Sequence, residues 1–198
     1  MTTPEAGRQA IAIAVGPPFD DRILDGEAEI SAVTVPGIDG TVVWRVIDNE
    51  GPHPWQSYVG VWPDGLARVL SANQDAWSDL VAKCGASITD AATAKSYTET
   101  FLEVTRAAMV IVRSIASLDD IRWRPGSDAE EAAKSDLLRE NPGIRSRAER
   151  RGSGFHVELT LVVDQRLQRN TFHVGKRGEL TGMTFEVIAE RLPLPVAR

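Results

Sequence analysis

Two histidines and a glutamate near the C-terminus, His156, Glu158 and His173, have types and spacing suited to proton transfer. If their two segments are antiparallel strands that reverse at Gln165-Arg166, Glu158 lies opposite His173 and His156 lies diagonally beside them. A carboxylate that holds one imidazole nitrogen raises the basicity of the other nitrogen. We therefore predict these three side chains as catalytic residues. Arg169, on the same predicted face, is expected to bind an anionic group of a substrate.

The same side chains support two other interpretations. Two imidazole nitrogens and a carboxylate oxygen that converge on one point can bind a divalent metal. Antiparallel sheets also commonly keep one face in water, where glutamate pairs with histidine or arginine across strands without any chemical role. We favour the solvated face and expect neither a metal nor another cofactor. The sequence contains no phosphate-binding glycine motif that precedes a helix and no nucleophile elbow.

The segment 155–193 predicts the three consecutive antiparallel strands that would position these residues. Apolar and polar side chains alternate along its first run, so one face must be buried. If the second reversal centres on Arg177-Gly178, Arg169 lies opposite Glu186 and Thr171 lies opposite Thr184. The reverse face is then predicted to join the core, and its members are Phe155, Val157, Leu159, Leu161, Phe172, Met183 and Phe185.

The first half of the chain predicts two hairpins, over 28–35 with 41–48 and over 56–62 with 66–71. Glycine and proline between the runs provide the backbone angles that tight reversals need. Trp44 and Trp62 fall on these strands or at their ends. We predict them as substrate-binding residues in the wall of a ligand cavity, and the alternative is that they fill the core.

Three helices are predicted between the two groups of strands. Asn73 has the side chain of a helix N-cap, and an apolar stripe follows it. A much longer helix is predicted from Thr89 or Asp90, because apolar residues recur every three or four positions over 94–115. A short third helix begins at Ser127 or Asp128 and ends before Asn141-Pro142.

The order of strands, helices and strands predicts a single α+β domain over 1–198. We expect a curved antiparallel sheet packed against one long and one or two shorter helices. This arrangement is similar, in architecture only, to the cystatin-like and nuclear-transport-factor-like cones. Segment 1–27 is predicted to be loosely ordered, and segment 140–154 is predicted to be an exposed loop.

Composition narrows the choice of partner and compartment. The chain has 28 acidic and 22 basic residues, and this negative balance disfavours binding to nucleic acid or to anionic lipid. No apolar run approaches the roughly 20 residues that cross a bilayer, so we expect no membrane insertion. One cysteine, Cys84, and the absence of a signal sequence favour the cytoplasm. The excess of arginine over lysine indicates a GC-rich, bacterial coding sequence.

The sequence favours a binding or assembly protein that acts through a partner protein or an enclosed small ligand and performs no chemistry. A homodimer formed through the sheet is the preferred oligomer, because a large sheet offers an edge for association. The alternative is a small enzyme or accessory subunit of a specialised biosynthetic pathway, with the His/Glu pair in a pocket between helix and sheet. A third possibility is an immunity or inhibitor protein, for which the acidic charge is suitable.

Overall fold

The computed structural model describes residues 4–40, 42–50, 54–107, 112–121, 123–124, 126 and 128–194. Within these residues the chain forms five α-helices and nine strands. The helices are α1 Pro4–Val15, α2 Asp20–Leu24, α3 Gln74–Cys84, α4 Ala91–Thr105 and α5 Asp128–Glu140. The strands are β1 Glu29–Val33, β2 Val43–Asp48, β3 Trp55–Val61, β4 Ala67–Val69, β5 Val112–Ile115, β6 Arg147–Arg151, β7 Gly154–Val163, β8 Arg166–Val174 and β9 Leu180–Ala189.

The α+β class is confirmed, and the strands divide between two open antiparallel sheets rather than lying in one. The first sheet has the order β1-β2-β3-β4 and contains both predicted hairpins. The second has the order β5-β7-β8-β9, and β6 pairs with the other half of the β7 edge. Strand β9 therefore forms one edge of the second sheet.

Helices α3 and α4 lie between the two sheets and carry the largest core. The Asn73 side chain accepts a hydrogen bond from the Ala76 N–H, as an N-cap does, and Gly85 ends α3 with a φ of 73°. Asp90 caps α4 in the same way. The buried cluster joins residues of both sheets and both helices, among them Val43, Tyr58, Trp77, Tyr97, Phe101, Val157 and Phe172. Both predicted helix starts are confirmed.

The N-terminal segment, predicted to be loose over 1–27, forms α1 and α2 over the residues described. Ile11 and Ile23, from α1 and α2, are buried against the other face of the first sheet. The Arg22 guanidinium lies 2.7 Å from the Asp48 carboxylate, which joins α2 to β2. The prediction rested on the small and polar residues of this segment, but alanine, which recurs among them, is the best helix former.

Two further expectations are corrected in the second half. Helix α4 ends at Thr105, and the predicted continuation to residue 115 instead includes β5, which pairs with β7. β-branched residues favour strands once a partner strand is present, and a 3–4 spacing alone does not exclude that outcome. Ala108, in the same stripe, lies outside the described residues. The expected loop 140–154 contains β6, whose charged side chains are tolerated at a sheet edge.

Candidate functional site

The predicted polar stripe forms on one face of the second sheet, with a changed register between β7 and β8. Arg169 lies opposite Glu186, as expected. The first reversal is at Asp164-Gln165, one residue earlier than predicted, and Asp164 has a φ of 54°; each β7 residue therefore pairs with β8 two residues earlier than expected. His156 therefore lies directly opposite His173, and Glu158 lies opposite Thr171. A shift of two residues keeps every side chain on its predicted face, because side chains alternate with a period of two.

Glu158 is held between two arginines on neighbouring strands. Its Oε1 lies 3.4 Å from the Arg147 Nε and 3.7 Å from the Arg169 Nε. Arg169 also donates from Nη1 to Glu186 Oε2 at 3.0 Å. Four side chains from β6, β7, β8 and β9 thus form a ladder of alternating charge across the sheet, which we call the ion-pair ladder: Arg147, Glu158, Arg169 and Glu186. In the ladder, each carboxylate pairs with at least one arginine, and the pairs link β6, β7, β8 and β9.

The structure brings His156, Glu158 and His173 onto one face, and the ion pairs of Glu158 run to arginines. Both histidines are half-buried. Within the described part of the chain, no group of three or more His, Cys, Asp or Glu residues has the geometry of a metal site. The catalytic roles of these three residues and the substrate-binding role of Arg169 stay predictions.

Trp44 and Trp62, predicted as ligand contacts, pack on opposite faces of the first sheet. Trp62 is buried in the core between the sheets, and the Arg68 guanidinium lies 5.6 Å from its ring centroid. Trp44 packs against the cluster formed with α1 and α2. The two rings belong to separate hydrophobic clusters, so the structure does not bring them together. Their substrate-binding role stays a prediction.

Strand β9 carries an exposed apolar surface that the sequence had assigned to the core. Met183, Phe185 and Val187 are 52%, 68% and 38% exposed. We call these three residues the β9 strip. Helix α4 packs over β5 to β8, and β9 lies beyond it at the sheet edge. The predicted burial of Met183 and Phe185 is therefore wrong, because their face extends past the helix that covers the rest.

A cleft of about 630 Å³ lies between α3 and the turn that joins β8 to β9. Its lining includes the apolar Trp77, Val81, Phe101 and Leu180 and two charged residues of the turn, Arg177 and Glu179. Two buried hydrogen bonds hold this turn against the helices. The Trp77 Nε1–H donates to the Tyr97 hydroxyl at 3.1 Å, and that hydroxyl donates to the Gly178 carbonyl at 2.8 Å. Sequence reasoning missed this cleft, although it identified both α3 and the turn.

Comparison with known proteins adds no functional information. No family model, curated protein or solved structure matches the chain. Among the helices described, none has the length and apolar character needed to span a bilayer. The β9 strip and the α3 cleft are thus the surfaces from which function must be argued.

Proposed function

We propose that the protein is a binding and assembly protein that associates with a second copy of itself through β9. The observation that supports this proposal is the β9 strip, where Phe185 is 68% exposed at the centre of an edge strand. A single cysteine suits a reducing compartment such as the cytoplasm. The proposal assigns the protein a structural role in an assembly rather than a reaction.

The composition of β9 lacks the usual protection of an edge strand. Exposed edges present unpaired backbone groups, and monomeric proteins commonly block them with proline, lysine or short strand length. This strand is ten residues long, contains neither proline nor lysine, and has Glu186 as its one charged residue. Glu186 already pairs with Arg169 of the same chain. Bulges interrupt its register with β8 on either side of 184–187, and this regular central segment is suited to pairing with another strand.

One antiparallel register joins two copies of β9 without a charge conflict. When Phe185 of each copy lies opposite the other, Met183 faces Val187 and Glu186 faces Thr184. The three apolar side chains of each copy then form one continuous surface. A shift of two residues in one direction places Glu186 opposite itself, where like charges repel. The opposite shift places Val187 against Thr181 and breaks the apolar surface.

Light scattering over a concentration series tests the association. We expect the wild-type protein to be a dimer and Phe185→Asp to be a monomer, because the twofold register would place two carboxylates together. Ile13→Asp is the matched control, since Ile13 is 76% exposed on α1 and lies away from β9. A wild-type protein that is monomeric throughout, or an Ile13→Asp variant that dissociates equally, would contradict the proposal.

Disulfide trapping tests the register itself. In a Cys84→Ser background, Phe185→Cys places two thiols opposite each other, at the Cα separations of about 4.5–5.5 Å that antiparallel pairs have and disulfides accept. We expect mild oxidation to give a covalent dimer with Phe185→Cys and not with Met183→Cys, whose opposite residue is Val187. Equal trapping by both variants would contradict this register.

A further inference from the structure

We infer that the cleft between α3 and the β8–β9 turn binds a small molecule that combines a flat apolar body with an anionic group. This site is separate from the β9 strip and does not depend on the proposed dimer. Its volume of about 630 Å³ lies within the roughly 300–1,000 Å³ typical of small-molecule sites. The cleft is therefore large enough for a ligand of one or two aromatic rings.

The walls of the cleft provide the apolar part of the recognition. Trp77 and Val81 of α3 and Phe101 of α4 form its apolar floor, each at most 5% exposed, and the half-buried Leu180 begins β9. The ring centroids of Trp77 and Phe101 lie 5.8 Å apart at a tilt of 58°. Little of either ring is accessible, so we expect a planar apolar body to lie flat over this floor rather than to insert between the rings.

The cleft is preorganised because hydrogen bonds hold the β8–β9 turn in place beside the helices. The Tyr97 hydroxyl bonds to the Gly178 carbonyl, and the Ile88 N–H donates to the Lys176 carbonyl at 2.9 Å. These two bonds hold the β8–β9 turn against the helical layer from two directions. A site with fixed walls loses little conformational freedom on binding, which favours affinity.

Arg177 supplies the charge that selects an anion. Its side chain is exposed at the rim of the cleft, and among the described carboxylates none forms an ion pair with its guanidinium. Glu179 also lines the cleft, but its carboxylate accepts from the Arg177 backbone N–H at 3.2 Å and so is engaged with its own turn. A guanidinium fork binds carboxylate, sulfonate or phosphate oxygens through paired N–H groups.

Two fluorescent probes separate the apolar and ionic parts of this recognition. The probe 8-anilinonaphthalene-1-sulfonate has a flat aromatic body and an anionic group, and N-phenyl-1-naphthylamine has nearly the same body without a charge. We expect the wild-type protein to bind one molecule of either probe per chain, the sulfonate more tightly. Arg177→Gln should weaken sulfonate binding about tenfold and leave the neutral probe unchanged. Arg166→Gln, an exposed arginine at the start of β8, is the matched control and should change neither affinity.

A blocking substitution tests the location of the site. Ala82 is exposed on α3 and lines the cleft, so Ala82→Trp should fill the cleft and abolish binding of both probes. Ser78→Trp is a second blocking variant in case the first changes folding, and circular dichroism reports the fold of each. Phe185→Asp should leave binding intact, which separates the cleft from the β9 strip. If folded blocking variants bind both probes normally, the proposed location of the site is wrong. If Arg177→Gln weakens the binding of both probes equally, or of neither, the proposed role of the charge is wrong.

Discussion

The Tyr97 hydroxyl donates a 2.8 Å hydrogen bond to the Gly178 carbonyl, 81 residues further along the chain. The same hydroxyl accepts a hydrogen bond from the Trp77 indole N–H. One buried oxygen therefore joins α3, α4 and the β8–β9 turn. This connection positions a wall of the cleft and the start of the edge strand that we propose for dimerisation, so the stability of both surfaces depends on it.

Replacing Tyr97 with phenylalanine should reduce the free energy of unfolding by about 1–3 kcal/mol, because a buried carbonyl and a buried indole N–H both lose a partner. Urea denaturation measures this change. Thr100→Ala, which removes an exposed hydroxyl from the same helix, is the control and should alter stability by less than about 0.5 kcal/mol. Equal effects of the two substitutions would show that the Tyr97 hydroxyl has no special role.

Gly178→Ala should be more destabilising than Gly65→Ala. Both glycines have a φ near 84°, at 83° and 85°, so each substitution incurs the cost of a left-handed backbone, about 1–2 kcal/mol. A Cβ at Gly178 would lie 2.8 Å from the Tyr97 hydroxyl oxygen and 2.9 Å from Val81 Cγ1, whereas a Cβ at Gly65 meets open space. Overpacking adds about 1–3 kcal/mol at Gly178 only. The difference between the two unfolding free energies measures this packing cost, and a difference near zero would contradict the close approach.

Local chemistry explains the features that the sequence predicted correctly. The cap at Asn73 depends on a few neighbouring residues, so the start of α3 was predictable. The pairing of Arg169 with Glu186 followed from the β8–β9 turn in the same way. The first reversal was predicted one residue too late, so the observed register between β7 and β8 differs from the predicted one by two residues. Because this shift is even, every side chain stays on its predicted face.

Features that depend on distant parts of the chain were not predictable. Whether Val112 belongs to a helix or a strand depends on the availability of β7 as a partner. Whether Phe185 is buried depends on how far α4 extends across the sheet, and no residue near Phe185 encodes that length. The cleft beside α3 forms only because α3 meets the β8–β9 turn, which is far away in the sequence. The one local indication of that contact is Gly178, a glycine in the turn. Long-range packing therefore decided both candidate binding surfaces.

Titration of the two tyrosines should show no ionisation near pH 10 in the folded protein. Burial, followed by the hydrogen bond to Glu103, raises the pKa of Tyr58 to about 12. Burial also raises the pKa of Tyr97. Because the pKa of each tyrosine is higher in the folded than in the unfolded protein, the protonated hydroxyls contribute to the free energy of unfolding. This contribution is fully present below the unfolded pKa of about 10 and is lost as pH rises through the folded pKa. Ultraviolet absorbance of tyrosinate measures the titration.

The urea-unfolded protein is the reference for that titration, and both of its tyrosines should ionise near pH 10. Tyr58→Phe should remove the step near pH 12 and leave the Tyr97 step at higher pH. A folded wild-type protein in which one tyrosine is half-ionised near pH 10 would contradict the burial of that ring.

The ion-pair ladder should add little stability and should weaken in salt. The Glu158 side chain is only 16% exposed, but its partners Arg147 and Arg169 are 64% and 36% exposed, so solvent screens each pair from the arginine side. A double-mutant cycle with Glu158→Gln and Arg147→Gln should give a coupling of about 0.2–1 kcal/mol. The coupling should fall at about 1 M salt, where the screening length is about 3 Å.

The exposed pair Arg68 and Asp79, with both side chains 58% exposed, provides the comparison and should couple less strongly than Glu158 with Arg147. The reason is that Glu158 has an arginine on each side and is largely shielded from water, whereas Asp79 is not. A Glu158 coupling well above 2 kcal/mol that is insensitive to salt would indicate a desolvated carboxylate. That result would favour the predicted catalytic role of Glu158 with His156 and His173, because a buried charge held in place is the condition for tuned proton transfer. A small, salt-sensitive coupling would instead indicate that the ion-pair ladder is solvated and has a structural role, in which it links four strands and positions β9 at the sheet edge.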